Sequence, residues 1–178
     1  FNSDTKFLFQ ETKDKRVLNY IKNKISNKVY EISKDKIFNL EKNFSIEIVP
    51  FQYLDSMSII NIEDITVLNL NDCDIKNMSE IKQILNKTKK IDIFLIQFSY
   101  AIGKFNQNEK SKREQLSLKI LKNLSNTINL INPRITIPFA SYCYFSRDDN
   151  FYLNDSINKI QDTINYLKKN HPTKEFYC

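Results

Sequence analysis

Apolar residues repeat with helical spacing in four segments of the chain. Residues three or four positions apart fall on one face of a helix, as Leu116, Ile120 and Leu124 do. Either Asn77 or Ser79 can cap the second of these segments, because their side chains accept hydrogen bonds from the first helical turn. The pattern therefore predicts helices over residues 13–26, 77–88, 108–131 and 154–170.

Between these segments the pattern favours strands. Residues 44–60 alternate and are rich in strand-forming side chains, which predicts one or two strands, and 65–70 is predicted to return from a tight turn at 61–64. Residues 91–99 are continuously apolar, as in a strand buried on both faces, and 132–145 contains the last predicted strand. Helices alternating with strands predict an α/β fold. No repeat or linker divides the chain, so residues 1–178 are predicted to be a single domain.

Three predicted strands end in polar side chains. The sequences at these ends are Asn71-Asp72-Cys73-Asp74, Gln97-Phe98-Ser99-Tyr100 and Ser141-Tyr142-Cys143-Tyr144. Strands that each lead into a helix tend to end at the same edge of a sheet, so these groups can converge on one crevice. A carboxylate there can bind a metal or act as a base. A turn or helix cap is an equally good explanation of Asp72 taken alone.

Other candidate nucleophiles and ligands favour structural roles. Cys73 has no neighbouring histidine to activate it, which favours a small buried residue. Ser141 has no histidine for a catalytic triad. His171, the only histidine, lies in a polar tail that is expected to be loose and exposed.

Composition restricts the kinds of molecule that the chain is expected to bind. The formal net charge is +6, but the lysines are scattered, which favours a solvated surface over a nucleic-acid site. No apolar run approaches the roughly 20 residues needed to span a bilayer. A single glycine, Gly103, leaves no glycine-rich phosphate loop. Three cysteines without a C-x-x-C pair favour a reducing cytoplasm.

The order of these segments is more specific than any one of them. "VLNLNDCDI", "IDIFLIQFSYAIGKF", a long helix ending in "LINPRITIPFASYCYF", and "DDNFYLND" follow one another over about residues 40–160. This combination resembles the second half of a metallo-β-lactamase-fold family that includes CMP-N-acetylneuraminate hydroxylase and UDP-N-acetylmuramate hydroxylase. The resemblance implies the C-terminal half of an αββα metallo-β-lactamase-like sandwich.

The resemblance also implies roles for particular residues. Asp72 corresponds to the acidic metal ligand at a strand end, and the substrate-binding residues would be Gln97, Ser99, Tyr100, Ser141 and Tyr142. The metal would be a divalent ion, zinc or iron, in the full-length protein. No catalytic residue is assigned.

The chain departs from the family pattern in its histidines. The HxHxDH motif is absent and is expected upstream of Phe1, so the chain is expected to be a fragment that is inactive when isolated. The two later histidines of many members are also missing, since these regions are "VPFQYLD" and "IPFASYC".

Two functions from different classes are expected, the first implied by the resemblance and the second favoured by the missing histidines. The first is part of a metal-dependent hydrolase or hydroxylase acting on a small molecule, a nucleotide sugar or glycan precursor, with neither nucleic acid nor membrane as partner. The alternative is a non-catalytic α/β domain that binds a sugar or a protein partner. The sequence leaves the oligomeric state open.

Overall fold

A computed structural model describes residues 4–34, 36–51, 55–71, 73, 75, 77–88, 90–101, 103–139, 141 and 143–178. The chain forms two compact units, Phe1–Asp64 and Ile65–Cys178. In the described part of the chain, no helix is both long enough and apolar enough to cross a membrane.

The first unit contains a parallel strand pair and an antiparallel three-stranded ribbon. Helix α1 connects the two strands of the pair, and a β-bulge interrupts the β3–β4 register between Asn39 and Glu41. The elements are β1 (Phe7–Gln10), α1 (Arg16–Lys24), β2 (Val29–Ile32), β3 (Ile37–Glu41), β4 (Phe44–Phe51) and β5 (Asp55–Ile62).

The second unit is a parallel sheet whose strands follow one another in chain order. Its elements are β6 (Ile65–Asn69), α2 (Met78–Lys87), β7 (Ile93–Ile96), α3 (Lys110–Ile131), β8 (Ile135–Pro138), a 3-10 helix (Phe151–Asp155), α4 (Ile160–Asn170) and β9 (Glu175–Phe176). Crossovers between parallel strands are almost always right-handed, so consecutive crossovers in this order place their helices on one face of the sheet. The contacts of α3 with both α2 and α4 agree with such a layer.

Local chemistry explains where these helices begin and end. Asn77 accepts hydrogen bonds from the backbone of Ser79 and Glu80, and the Glu80 carboxylate accepts one from the backbone of Asn77, which completes a capping box. Helix α3 ends at Asn132, which adopts a left-handed conformation with φ of 54°. Asparagine tolerates this conformation better than most residues, and Pro133 follows it. At the start of α2, the capping box confirms the predicted Asn77 cap.

All four predicted helices are present, but several strands differ from the prediction. The described residues of 44–60 fall in two strands, β4 and β5, and those of 132–145 form only the short strand β8. Strands β1, β2 and β3 were not predicted. The expectation of a loose tail is wrong, because β9 pairs with β8 and extends the parallel sheet.

Candidate functional site

The carboxyl ends of β6, β7 and β8 lie side by side at one edge of the sheet. Backbone hydrogen bonds continue beyond the strands: the Gln97 amide donates to the Asn71 carbonyl at 3.1 Å, and the Phe139 amide donates to the Ile96 carbonyl at 2.9 Å. Because parallel pairing fixes this alignment, the polar residues that the structure describes after these strands, such as Ser99 and Ser141, lie at the same edge. For these residues this is the convergence that the sequence pattern predicts.

Ser141 and Ser99 are buried and bonded to the backbone at this edge. The Ser141 hydroxyl accepts a hydrogen bond from the Phe98 amide at 3.0 Å and donates to the Ser99 carbonyl at 3.4 Å. The Ser99 hydroxyl in turn accepts a hydrogen bond from the Asn158 amide at 3.0 Å. The two serines therefore join the segments that follow β7 and β8 to the start of the last helical region.

Asn158 is a structural residue of this site that the sequence analysis missed. Its side-chain amide donates to the carbonyl of Phe98 at 2.9 Å and to the carbonyl of Ser117 at 3.0 Å. One amide group thus ties the end of β7 to the middle of α3. These partners are 60 and 41 positions away in sequence, so no local pattern could have indicated the contact.

Tyr100 is a hydrogen-bond donor buried behind the same edge. Its hydroxyl donates to the Leu153 carbonyl at 2.6 Å. Burial raises the pKa of Tyr100, the negative charge of Asp155 raises it further, and the Arg113 guanidinium partly opposes both effects. The phenol is therefore protonated at neutral pH and suited to hold the chain in place.

A cavity of about 530 Å³ opens between the end of β7 and α3. This volume lies within the range of small-molecule sites, and the combination of an apolar wall with a few polar groups is typical of them. Lys104 and Lys119 contribute positive charge, and the uncharged polar residues of the lining are Gln97, Ser99, Tyr100, Asn123 and Thr127. The remaining lining residues are Cys73, Ile75, Ile96, Ala101, Leu116, Ile120 and Leu124.

The side chains that the structure describes at this edge do not form a metal site by themselves. Among the residues that the structure describes, no three His, Cys, Asp or Glu side chains are grouped so that they could hold a metal ion. A catalytic zinc usually has three protein ligands. The described donors therefore do not fit a metal, and no chemical step can be assigned to one from them.

The predicted site residues fall into three groups. Gln97, Ser99 and Tyr100 line the cavity together, and Ser141 is joined to this group through its hydrogen bonds with Phe98 and Ser99. Asp72 and Tyr142 lie outside the described residues. Substrate binding by these side chains, and metal binding by Asp72, remain predictions.

His171 corrects one expectation from the sequence. It was expected to be exposed, but its side chain is buried at the end of α4, with Nε2 at 2.7 Å from the Ser125 hydroxyl of α3. The prediction failed because an isolated histidine in a polar segment carries no periodic signal of burial.

Comparison with known proteins identifies the fold. No family model matches the chain, and no curated protein sequence does. A solved structure of CmlA, a diiron β-hydroxylase from Streptomyces venezuelae, matches 97% of this chain and 38% of its own length, at 9% identity and a TM-score of 0.60. A metallo hydrolase from the archaeon Ignicoccus hospitalis matches 97% of this chain and 64% of its own length, at 9% identity and a TM-score of 0.61.

A third solved structure is of a protein described as having the metallo-β-lactamase fold. The metallo-β-lactamase fold protein YhfI from Bacillus subtilis matches 96% of this chain and 61% of its own length, at 9% identity and a TM-score of 0.54. The chain thus spans 38% to 64% of the length of these three structures. The predicted α/β fold of metallo-β-lactamase type is confirmed.

Proposed function

We propose that this chain forms part of a metal-dependent enzyme of the metallo-β-lactamase fold, a hydrolase or hydroxylase that acts on a small molecule. The observation that carries the proposal is the cavity at the carboxyl edge of the parallel sheet, lined by Gln97, Ser99 and Tyr100. In α/β proteins, ligands bind at this edge of the sheet. CmlA and the Ignicoccus protein, which share the fold, are a diiron hydroxylase and a metallo hydrolase.

The proposed substrate is a nucleotide sugar or a related glycan precursor. The Gln97 amide carries donor and acceptor groups that suit sugar hydroxyls. The apolar residues of α3 can pack against the less polar part of such a molecule. The relationship to CMP-N-acetylneuraminate and UDP-N-acetylmuramate hydroxylases belongs to this proposal and rests on the sequence resemblance.

The proposed metal is zinc or iron, with Asp72 as a ligand from this chain. The described donors do not fit a metal alone, so its other ligands would come from elsewhere in the protein. The setting proposed is the cytoplasm, which is supported by the three free thiols of Cys73, Cys143 and Cys178.

The test is the metal content of the full-length protein, purified without chelator and measured by elemental analysis. Wild type is compared with Asp72→Ala, and Asp64→Ala serves as the control because Asp64 is an exposed carboxylate in the turn before β6, at the other end of that strand from its carboxyl end. We expect stoichiometric zinc or iron in wild type and Asp64→Ala and a clear loss in Asp72→Ala. Absence of metal from all three proteins would overturn the proposal.

The second candidate is a non-catalytic domain that binds a sugar or a protein partner. It is favoured by the absence of a three-ligand group among the described side chains. A metal-free full-length protein that binds glycans through the cavity would establish it. Stoichiometric metal that depends on Asp72 would exclude it.

A further inference from the structure

Every charged side chain that lines the cavity, within the part of the chain that the structure describes, is a lysine. Lys119 lies on α3, and Lys104 lies in the segment between β7 and α3. No described carboxylate lines the cavity to neutralise them. A phosphate ester carries a charge of about −1.5 to −2 near pH 7, so two ammonium groups match it better than they match a monovalent carboxylate.

Most of the wall beside the two lysines is aliphatic, although Asn123 and Thr127 of α3 also line the cavity. Leu116, Ile120 and Leu124 share one stripe of α3 and all line the cavity, and Ile75 and Ile96 also contribute apolar surface to its lining. Inorganic phosphate would leave this surface in contact with water. A phosphate attached to an apolar group would cover it and would gain about 25 cal/mol for each Å² of apolar area buried.

The segment that carries Lys104 is held on both sides. On one side the Tyr100 hydroxyl donates to the Leu153 carbonyl at 2.6 Å, and on the other the Tyr152 hydroxyl donates to the Phe105 carbonyl at 2.8 Å. Both bonds tie the segment to the 3-10 helix. These bonds restrain the backbone around Lys104, so less backbone entropy is lost when Lys104 meets an anion.

We infer that the cavity binds an organic phosphate ester, with the phosphate between Lys104 and Lys119 and the apolar group against the α3 wall. This inference rests on the proposed function only in placing a ligand in the same cavity. It needs neither the metal nor Asp72. It also assigns binding roles to two lysines that the sequence analysis treated as solvated surface.

Calorimetric titration of the full chain with phenyl phosphate tests the inference, with inorganic phosphate as the reference anion. Chelator is present throughout, so that metal does not contribute to binding. Phenyl phosphate supplies the charge and a small apolar group, and we expect it to bind at least about tenfold more tightly than inorganic phosphate. Its affinity should fall as salt is added, because salt screens the lysine charges.

Three lysine variants separate site charge from overall charge. Lys104 and Lys119 are both exposed, so Lys104→Gln and Lys119→Gln should each weaken phenyl phosphate binding by at most about fivefold, the effect of one exposed charge contact. Lys122→Gln removes an equal charge from an exposed position of α3 that does not line the cavity, and should leave the affinity unchanged. Equal weakening by all three variants would overturn the inference.

A fourth variant tests the apolar wall. Ile120→Ala should weaken phenyl phosphate binding and leave inorganic phosphate unaffected, with circular dichroism confirming that the variant is folded. Equal affinity of the two anions, or no detectable binding of phenyl phosphate, would overturn the inference.

The two proposals fail separately. Metal that depends on Asp72, without phosphate-ester binding under chelation, would leave the proposed function standing and reject this inference. Phosphate-ester binding that depends on Lys104 and Lys119, in a protein that never holds metal, would support this inference and reject the proposed function.

Discussion

The Arg113 guanidinium and the Asp155 carboxylate join α3 to the 3-10 helix through two hydrogen bonds. Arg113 Nε donates to Asp155 Oδ1 at 3.1 Å, and Nη2 donates to Oδ2 at 2.8 Å. The Arg113 side chain is 1% exposed, and its guanidinium lies 4.9 Å from the centre of the Tyr152 ring. The hydrogen bonds from Arg113 lower the pKa of Asp155, against the opposing effect of burial. A guanidinium so deeply buried has lost its contacts with water, so its charge must be compensated by the carboxylate partner.

Removing the carboxylate should therefore destabilise the fold. Asp155→Ala leaves the Arg113 charge buried and unpaired, a change that costs 3–5 kcal/mol in a fully buried pair. Because the Asp155 side chain is 32% exposed, we expect a smaller loss in the free energy of unfolding, about 2 kcal/mol. Urea unfolding followed by circular dichroism measures it.

An exposed ion pair provides the matched control. Arg147 and Asp149 lie 3.1 Å apart, with both side chains mostly in solvent. Asp149→Ala should leave the urea midpoint unchanged, because exposed pairs contribute little to stability. Similar losses in the two variants would show that the Arg113–Asp155 contact has no special weight.

Asp92 makes a second stabilising contact, at the start of β7. Its carboxylate accepts a hydrogen bond from the Thr66 amide at 3.0 Å and lies 2.6 Å from Lys90 Nζ. The Lys90 hydrogen bond lowers the pKa of Asp92 most, followed by the Thr66 amide. This carboxylate therefore stabilises the fold above its unfolded pKa, near 3.8, and that stabilisation is lost as the pH falls through the lower folded value.

Asp92→Asn should lower the free energy of unfolding by about 1–2 kcal/mol at pH 6, since the amide oxygen can still accept from Thr66 but the charge is lost. The difference from wild type should shrink below about pH 4, as the wild-type carboxylate becomes protonated. Urea midpoints measured from pH 6 to pH 2.5 give the profile. Asp64→Asn, at an exposed position, should track wild type throughout; a constant deficit for Asp92→Asn would contradict the electrostatic explanation.

The helices could be predicted because their signal is local and repeated. Residues 108–131 carry six turns of amphipathic pattern, and α3 covers Lys110–Ile131. Strand β9 has two residues, Glu175 and Phe176, and forms because its backbone pairs with the edge of β8. Pairing of that kind depends on tertiary context that a short polar window does not contain.

The same distinction applies to the site. Ser99 and Ser141, which follow different strands, could be predicted to share an edge because strand direction follows from the alternation of elements. The contacts that hold the neighbouring segments in place could not be predicted. Arg113 and Asp155 are 42 positions apart, and each alone resembles an ordinary surface charge. The cavity lysines were missed for the same reason, since a lysine beside a cavity has no sequence signature.

His171 gives the fold a dependence on mildly acidic pH. Burial lowers the pKa of this imidazole, and the positive charge of Lys174 lowers it further. Since the unfolded chain binds the proton more tightly, stability is complete above the unfolded pKa of 6.5 and decreases as the pH falls toward the folded value. His171 is the only histidine, so no other side chain with an ordinary pKa titrates in this interval.

We therefore expect the wild-type urea midpoint to fall between pH 7.5 and pH 5.5. His171→Gln removes the titrating group and should show a much smaller fall. At pH 7.5 the variant should itself be about 1–3 kcal/mol less stable, because it disturbs the buried hydrogen bond with Ser125. The pH dependence, and not the loss at pH 7.5, is the decisive observation, since any damage to packing would cause the latter. An equal fall in both proteins would assign the acid sensitivity to groups other than His171.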